Sequence, residues 1–245
     1  MLDLTHKIIN PGPDDYHCHS VELSDGFDTN IAYLVEQAGK MRMTELAITD
    51  HSQATISACG WTSTKSRKWL ERWRNTVNKV NIIFGIEGDL INEDGEICDY
   101  VINHYHQTKI GANFLILSSH EKTYQGDPKK ITSAYLQAIQ HRHKDIRLIG
   151  HPDSNATITE HLDLNPIIQA ANDYGIPLEI NCANLHSGKS KLDRLRQVIE
   201  TADKLYINSD AHTRYEFETL RDEGFKTLAE LGFMIRRTPQ LELGF

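Results

Sequence analysis

Nothing in the chain approaches the roughly 20 consecutive apolar residues that a membrane-spanning helix requires. No positively charged and then apolar leader stands at its start. These two absences argue against a membrane role and create the expectation of a cytoplasmic protein. Cysteine is scarce as well: Cys18, Cys59, Cys98 and Cys182 stand apart with no CxxC pair. That spacing excludes a dense disulfide framework and a thiolate zinc cluster, and it fits a reducing compartment. Positive charge is also in short supply, with a formal net charge of -8. A broad nucleic-acid surface is therefore not expected, whereas a small anionic metabolite is acceptable if metal ions offset the acidity locally. Low-complexity tracts, internal repeats and long linkers are all missing. At 245 residues the economical reading is one α/β domain spanning residues 1–245.

What the chain does contain is an ordered series of short polar segments. They read His17-Cys18-His19, Thr49-Asp50-His51, Gly85-Ile86-Glu87-Gly88, Ser118-Ser119-His120, Gly150-His151-Pro152, Glu179-Ile180-Asn181 and Ser209-Asp210-Ala211-His212. Nearly every one follows an apolar run, such as Leu46-Ala47-Ile48, Phe114-Leu115-Ile116-Leu117 or Leu205-Tyr206-Ile207. Candidate ligands thus sit where buried strands end. His17 and His19 are two residues apart, so on extended backbone both side chains leave the same face and can grip one ion. Asp210 and His212 share that spacing. Imidazole and carboxylate together suit zinc, manganese or iron at an open catalytic site.

Longer amphipathic stretches alternate with the apolar runs, as a parallel sheet with helical crossovers demands. Helices are expected at residues 29–40, 65–78, 99–108, 129–142, 164–174, 191–202 and 215–231. Seven strand-like units with polar carboxyl ends suggest a closed or nearly closed β/α barrel, whose active site forms from strand ends and their loops. An open doubly wound sheet is the alternative, but it would not bring His17 to Asp210.

The set HxH, TDH, GIEG, SSH, GHP, LEIN and SDAH, in that order, resembles the PHP (polymerase and histidinol phosphatase) family of metallohydrolases over about residues 14–215. Asp94-Gly95-Glu96-Ile97, His120-Glu121 and Ser209–Thr213 look similar to the small single-domain bacterial PHP phosphatases. The resemblance implies a distorted seven-stranded β/α (TIM-like) barrel holding two or three divalent ions of zinc, manganese or iron. Carried over by residue, it implies one ion among His17, His19, Glu87 and Asp210. A second would share Glu87 with His120 and His151, and a third would be held by Asp25, His51 and His212. Asp25 departs from the pattern, since such phosphatases often offer a histidine there.

The expected chemistry is hydrolysis of small phosphate monoesters by in-line attack of a metal-activated water, with no protein nucleophile. Glu87, Asp210 and His212 are the catalytic candidates, and Arg214 and Lys122 are the candidates for gripping the phosphate. The partner is then a small phosphorylated metabolite. Two other classes remain: a phosphodiesterase or exonuclease acting on nucleotides or single-stranded DNA, and a metal-binding module without turnover. His6, His104, His106, His141, His143 and His161 are read as surface or hydrogen-bonded residues. Asp50 is read as an orienter of His51. Asn181 either lines the site or caps the following loop. The Gly188-Lys189-Ser190 triplet is not a P-loop, because Ala183 stands where the pattern needs glycine. Trp69 and Trp73, four apart on an expected helix, are read as packing one face rather than stacking bases, and the proximity of the Trp61–Trp73 segment to the His51 loop leaves a role as substrate lid open.

Overall fold

The computed structural model describes residues 2–61, 67–103 and 106–236. Six parallel strands form one curled sheet, in spatial order Leu205–Asn208, Leu178–Asn181, Ile146–Ile149, Leu115–Ser118, Asn81–Leu90 and Glu45–His51. Their chain order runs uniformly around the sheet, which is the order of a barrel rather than of a doubly wound sheet. The gap between the first and last strands is filled by the segment carrying the two amino-terminal histidines. On one side Ala47 N and Thr49 N donate to Asp15 O and Cys18 O, each at 2.9 Å; on the other, His19 N donates to Ala211 O at 2.9 Å and Asp210 N to His17 O at 2.8 Å. This irregular seventh stave closes a distorted β/α barrel and brings His17 beside Asp210. The distortion continues on the far wall, where the register shifts between Leu115 and Ile116 and only Ile149 pairs with Leu178.

Side-chain alternation places the site inside this barrel. Ala47, Phe114, Ile116 and Leu148 form a small buried cluster, packed by Tyr16, Ile83 and Tyr206. Residues from facing strands meet there, with the Tyr16 ring 4.8 Å from Tyr206 and 5.7 Å from Phe114. Ala47 and His51 share one strand, as do Ile83 and Glu87. An even separation puts members of each pair on the same face, so the apolar plug lies directly beneath the ligand candidates. At Gly150, just before His151, an added Cβ would lie 2.8 Å from Ile116 Cγ2, so only glycine permits this close strand packing.

The outer helices follow their apolar spacing. Ile31–Lys40 buries Ile31, Leu34, Val35 and Ala38 behind an Asn30 cap. Leu164–Tyr174 starts at an Asp163 cap and ends at Gly175 with φ of 69°. Arg214–Glu230 opens on a capping box between Thr213 and Glu216. Among the described residues, no helix is long and apolar enough to cross a membrane.

Among the described residues, two expected helices are absent. Of the helix expected at 65–78, residues 65–66 lie outside the described residues, and 67–78 form a short 3₁₀ segment, Arg67–Glu71, and then turns. Asn75 Oδ1 takes the backbone N–H of Val77 at 3.0 Å and of Asn78 at 3.3 Å, diverting donors from a helical ladder. Trp73 meets Phe84 edge-on at 5.2 Å, but Trp69 is 62% exposed, so the two do not pack one face. In place of 99–108 an antiparallel hairpin joins Tyr100–Asn103 to Thr108–Gly111, and Val101 and Asn103 alternate inward as strand residues do. Two short helices were not expected from sequence, Gln53–Cys59 and Cys182–His186.

Candidate metal centre

The strand ends and their loops bring eight other candidate side chains together with one buried carboxylate, Glu87, which is 1% exposed. Its Oε2 lies 3.6 Å from His17 Nε2, 3.7 Å from His19 Nε2 and 2.9 Å from His51 Nδ1. Its Oε1 lies 2.8 Å from His151 Nε2 and 3.4 Å from His120 Nε2. Asp210 Oδ1 stands 3.4 Å from His17 Nε2 and 3.1 Å from His19 Nε2. On the other side, Asp25 Oδ1 is 3.7 Å from both His19 Nδ1 and His51 Nε2, and Asp25 Oδ2 is 3.4 Å from His212 Nε2. Each donor comes from a different strand end or loop, except where the two-residue spacing pairs them.

These separations fit metal ligands better than a hydrogen-bond network. Donors bound tetrahedrally at about 2.0–2.2 Å lie roughly 3.4 Å apart. Most of the values above fall near that distance, beyond a good hydrogen bond. His17 Nε2 and His19 Nδ1 are buried and have no hydrogen-bond partner, and His51 Nδ1 meets only the Glu87 carboxylate. Buried polar atoms are seldom left so, and cations in the neighbouring ligand groups would satisfy them. Three overlapping groups have ligand geometry: His17, His19 and Asp210; His51, Glu87 and His120; and His19, Asp25, His51 and His212.

The electrostatics point the same way. Burial opposes charge on Glu87, yet the imidazoles of His120, His51 and His17 hold its pKa well below the usual carboxylate range. Burial likewise opposes charge on His51, but Glu87 and Asp25 raise its pKa to about 10. At His19, burial followed by the charges of His212 and His51 lowers the pKa to about 4, leaving a neutral imidazole. The carboxylates therefore demand positive charge, which either protons on imidazole or divalent cations can supply.

The far nitrogens are fixed by residues that sequence reasoning did not assign. Glu179 Oε1 faces His17 Nδ1 at 2.9 Å, and Asn208 Nδ2 donates to the same oxygen at 2.9 Å. Asp89 Oδ1 faces His120 Nδ1 at 2.6 Å and accepts from Thr123 Oγ1 at 2.8 Å. Such partners set the tautomer that leaves the other nitrogen free for a cation. A signal existed for each: Asp89 is two residues past Glu87 on one strand face, and Glu179 opens the Glu179-Ile180-Asn181 segment. Asn181 does both things considered for it, since its Oδ1 caps Asn184 N at 2.9 Å and its Nδ2 donates to Asp210 Oδ2 at 2.9 Å. Asp50 does not orient the His51 ring. It accepts from Ser20 N at 2.6 Å and Ser20 Oγ at 3.0 Å, tying the His17–His19 stave to the neighbouring strand. His151 and Asp210 both have positive φ, 29° and 54°, and sparsely populated backbone of this kind concentrates at functional sites.

An open cleft of about 500 Å³ rises from Glu87, His120, His151, Asp210 and His212, with Trp61 and Lys122 on its walls. The Trp61 ring lies 5.7 Å from His51. Lys122, one of the two phosphate-gripping candidates, lines this cleft, with Nζ 4.0 Å from Cys59 Sγ. Arg214 does not. Its Nε donates to Asp28 O at 3.0 Å and its guanidinium lies 4.3 Å over the Tyr33 ring, so the first turn of its helix directs it away from the cleft. Arg214→Ala is accordingly expected to cost about 0.5–1 kcal/mol of stability and to leave kcat/KM on phosphomonoesters within about twofold, the scatter of surface changes. A tenfold loss of kcat/KM would return Arg214 to the substrate site. Of the histidines read as peripheral, His6, His106, His141 and His161 are exposed and His143 stacks on Tyr174 at 4.2 Å. His104 lies outside the described residues.

A family model described as "PHP domain" matches residues 15–212. Among curated proteins, "Probable phosphatase YcdX" of Escherichia fergusonii is 26% identical over 247 aligned positions, which cover 95% of this chain and 93% of that protein. A "Probable phosphatase" of Shewanella oneidensis is 30% identical over 210 positions, covering 83% of this chain and 77% of its own length. Among solved structures, the "putative histidinol phosphatase hisK" of Listeria monocytogenes superposes with a TM-score of 0.53 at 15% identity, covering 86% of this chain and 99% of that one. That likeness is one of fold.

Proposed function

The chain belongs to the PHP-domain family, and from that premise we propose that it is a metal-dependent phosphatase hydrolysing small phosphate monoesters at a multinuclear site. The observation that carries this reading is the spacing of buried imidazole nitrogens around the Glu87, Asp210 and Asp25 carboxylates, with His17 Nε2 and His19 Nδ1 left without a hydrogen-bond partner. His17, His19, Glu87 and Asp210 would hold one ion; Glu87, His120 and His151 a second; Asp25, His51 and His212 a third. Bound divalent ions supply positive charge for the phosphoryl oxygens and lower the pKa of water toward neutrality. The relatives named as phosphatases, with 26% and 30% identity across most of their length, support the reaction class.

The chain's own residues then have distinct tasks. Glu179 holds His17 through Nδ1, and Asp89 holds His120 in the same way, so both present Nε2 to the centre. Asn181 fixes one oxygen of Asp210 and leaves the other facing His17 and His19. Lys122, two residues beyond His120, lines the cleft and would neutralise a phosphoryl oxygen there. Asp210 and His212 stand on the cleft wall, where they can exchange protons with water or the departing alkoxide. A cleft of about 500 Å³ leaves room for a leaving group beyond the phosphate itself.

Activity should be measured on a panel of small phosphomonoesters, phosphodiesters and single-stranded DNA, before chelation, after it, and after return of zinc, manganese or iron. Monoesters are expected to be turned over fastest, with activity falling at least about 10²-fold on chelation and returning with metal. Faster cleavage of diesters or DNA would favour the nuclease class instead, and no turnover of any substrate with metal bound would leave a binding module.

A further inference from the structure

The geometry points to a second anion subsite: we propose that the cleft takes phosphomonoesters whose leaving group carries another anionic group, held by Lys189. This rests on the phosphatase reading above. The wall of the cleft that carries Lys189 is built from two loops, one following Gly150 and one following helix Cys182–His186. They are joined by an antiparallel bridge between Ser154 and Ser190. Asn155 N donates to Lys189 O at 2.8 Å, and Lys191 N to Asp153 O at 3.0 Å. From the other direction Lys189 N donates to Asn184 O at 2.8 Å. Asn184 N is in turn held by Asn181, which also holds Asp210. The Lys189 backbone is thus tied on both sides to the floor of the metal centre.

Its ammonium is not tied. Lys189 is exposed, lines the cleft, and has no ion-pair partner among the described residues. Lys122, the other cationic side chain on the lining, also lacks a carboxylate partner there. Outside the metal set, the carboxylate on the lining is Glu121, and it is turned to the backbone N–H of Thr157 at 2.5 Å. In a chain with a net charge of -8, one cleft therefore carries two uncommitted cations. A monoester with a single phosphate engages the metals and Lys122, which follows His120, and leaves Lys189 idle. A second phosphate or carboxylate on the leaving group would complete the match, with Ser154, Asn155 and Asn184 beside it for hydroxyls. A leaving group bearing an ammonium would face like charge.

Steady-state kinetics of the metal-loaded enzyme on two matched pairs test the subsite. Glycerol 2-phosphate and 2-phosphoglycerate differ by one carboxylate in place of a CH₂OH; fructose 6-phosphate and fructose 1,6-bisphosphate differ by one phosphate. A charge-assisted contact at a partly open site should favour the second member by about tenfold, through KM. Lys189→Ala should collapse the ratio toward about 1, and Lys189→Arg should keep most of it. Preference in only one pair, lost in Lys189→Ala, supports the subsite and identifies its anion. Equal treatment of both members by the unaltered enzyme, or a preference that survives Lys189→Ala, overturns it. Failure to turn over any of the four compounds with metal bound overturns the phosphatase reading and this subsite with it.

Discussion

Glu87→Gln should lose at least one metal ion and about 10³-fold or more in kcat/KM while keeping its fold. The Glu87 carboxylate is the meeting point of the centre, with one oxygen facing His17, His19 and His51 and the other facing His120 and His151. Glutamine has the same size but lacks the charge that offsets repulsion between neighbouring cations. Its amide also turns N–H donors toward nitrogens that must offer lone pairs. The backbone pairing of this strand with its neighbours, His51 opposite Glu87 and Glu87 opposite Ile116, does not depend on the side chain. Glu87 is 1% exposed, and the imidazoles around it hold its pKa well below the usual carboxylate range, so removing its charge leaves buried imidazoles uncompensated and the metal-free variant should melt earlier than the metal-free parent while still folding. Elemental analysis per chain, kcat/KM and a melting curve on the same sample check the three claims. Full metal content with ordinary turnover would show that Glu87 is not shared between ions.

The barrel was legible because each strand announces itself twice, by an apolar run and by a polar residue at its carboxyl end. Two local competitions hid the rest of the fold. Asn75 takes donors that a helix through 65–78 would need. The stretch expected as a helix at 99–108 contains Val101-Ile102, a β-branched pair that forms one arm of a hairpin. Neither can be weighed without knowing what each segment packs against.

The centre was legible to the same depth. The structure brings His17, His19, Asp25, His51, Glu87, His120, His151, Asp210 and His212 together, because residues at strand ends inherit their positions from the barrel. Glu179 and Asp89 act on the far nitrogens of histidines from other strands, a relation that exists only in three dimensions. Arg214 and Lys189 show the same limit from opposite sides. Arg214 is two residues from His212 in sequence, yet it begins a helix whose first turn carries it over Tyr33. Lys189 is far from every ligand in the chain, yet the bridge between Ser154 and Ser190 sets it on the cleft. The triplet discounted as a P-loop is a turn, with Gly188 at φ of 70°, and its lysine matters for a different reason.

Asp25→Ala should empty one metal position selectively and lower turnover by about 10–100-fold, the range typical of weakened metal sites. The Asp25 carboxylate lies between His19, His51 and His212, and the three imidazoles offer it nitrogens at 3.4–3.7 Å. The loop that carries it is anchored independently, by Phe27 N to His212 O at 2.7 Å and by Thr29 Oγ1 to His19 O at 2.7 Å. Loss of the carboxylate should therefore remove a ligand without releasing the loop, and the ions around Glu87 should stay. A carboxylate oxygen is also a harder donor than imidazole, so this position should accept manganese or iron more readily than an all-histidine site would. Asp25→His should refill the position and move its preference toward zinc, which distinguishes loss of a ligand from damage to the loop. Anomalous diffraction at the zinc, iron and manganese edges, on crystals of the parent and both variants, measures occupancy position by position. Two ions in the parent, both remote from Asp25, would reject a third site; three ions, with one lost in Asp25→Ala and recovered in Asp25→His, would assign it to this carboxylate.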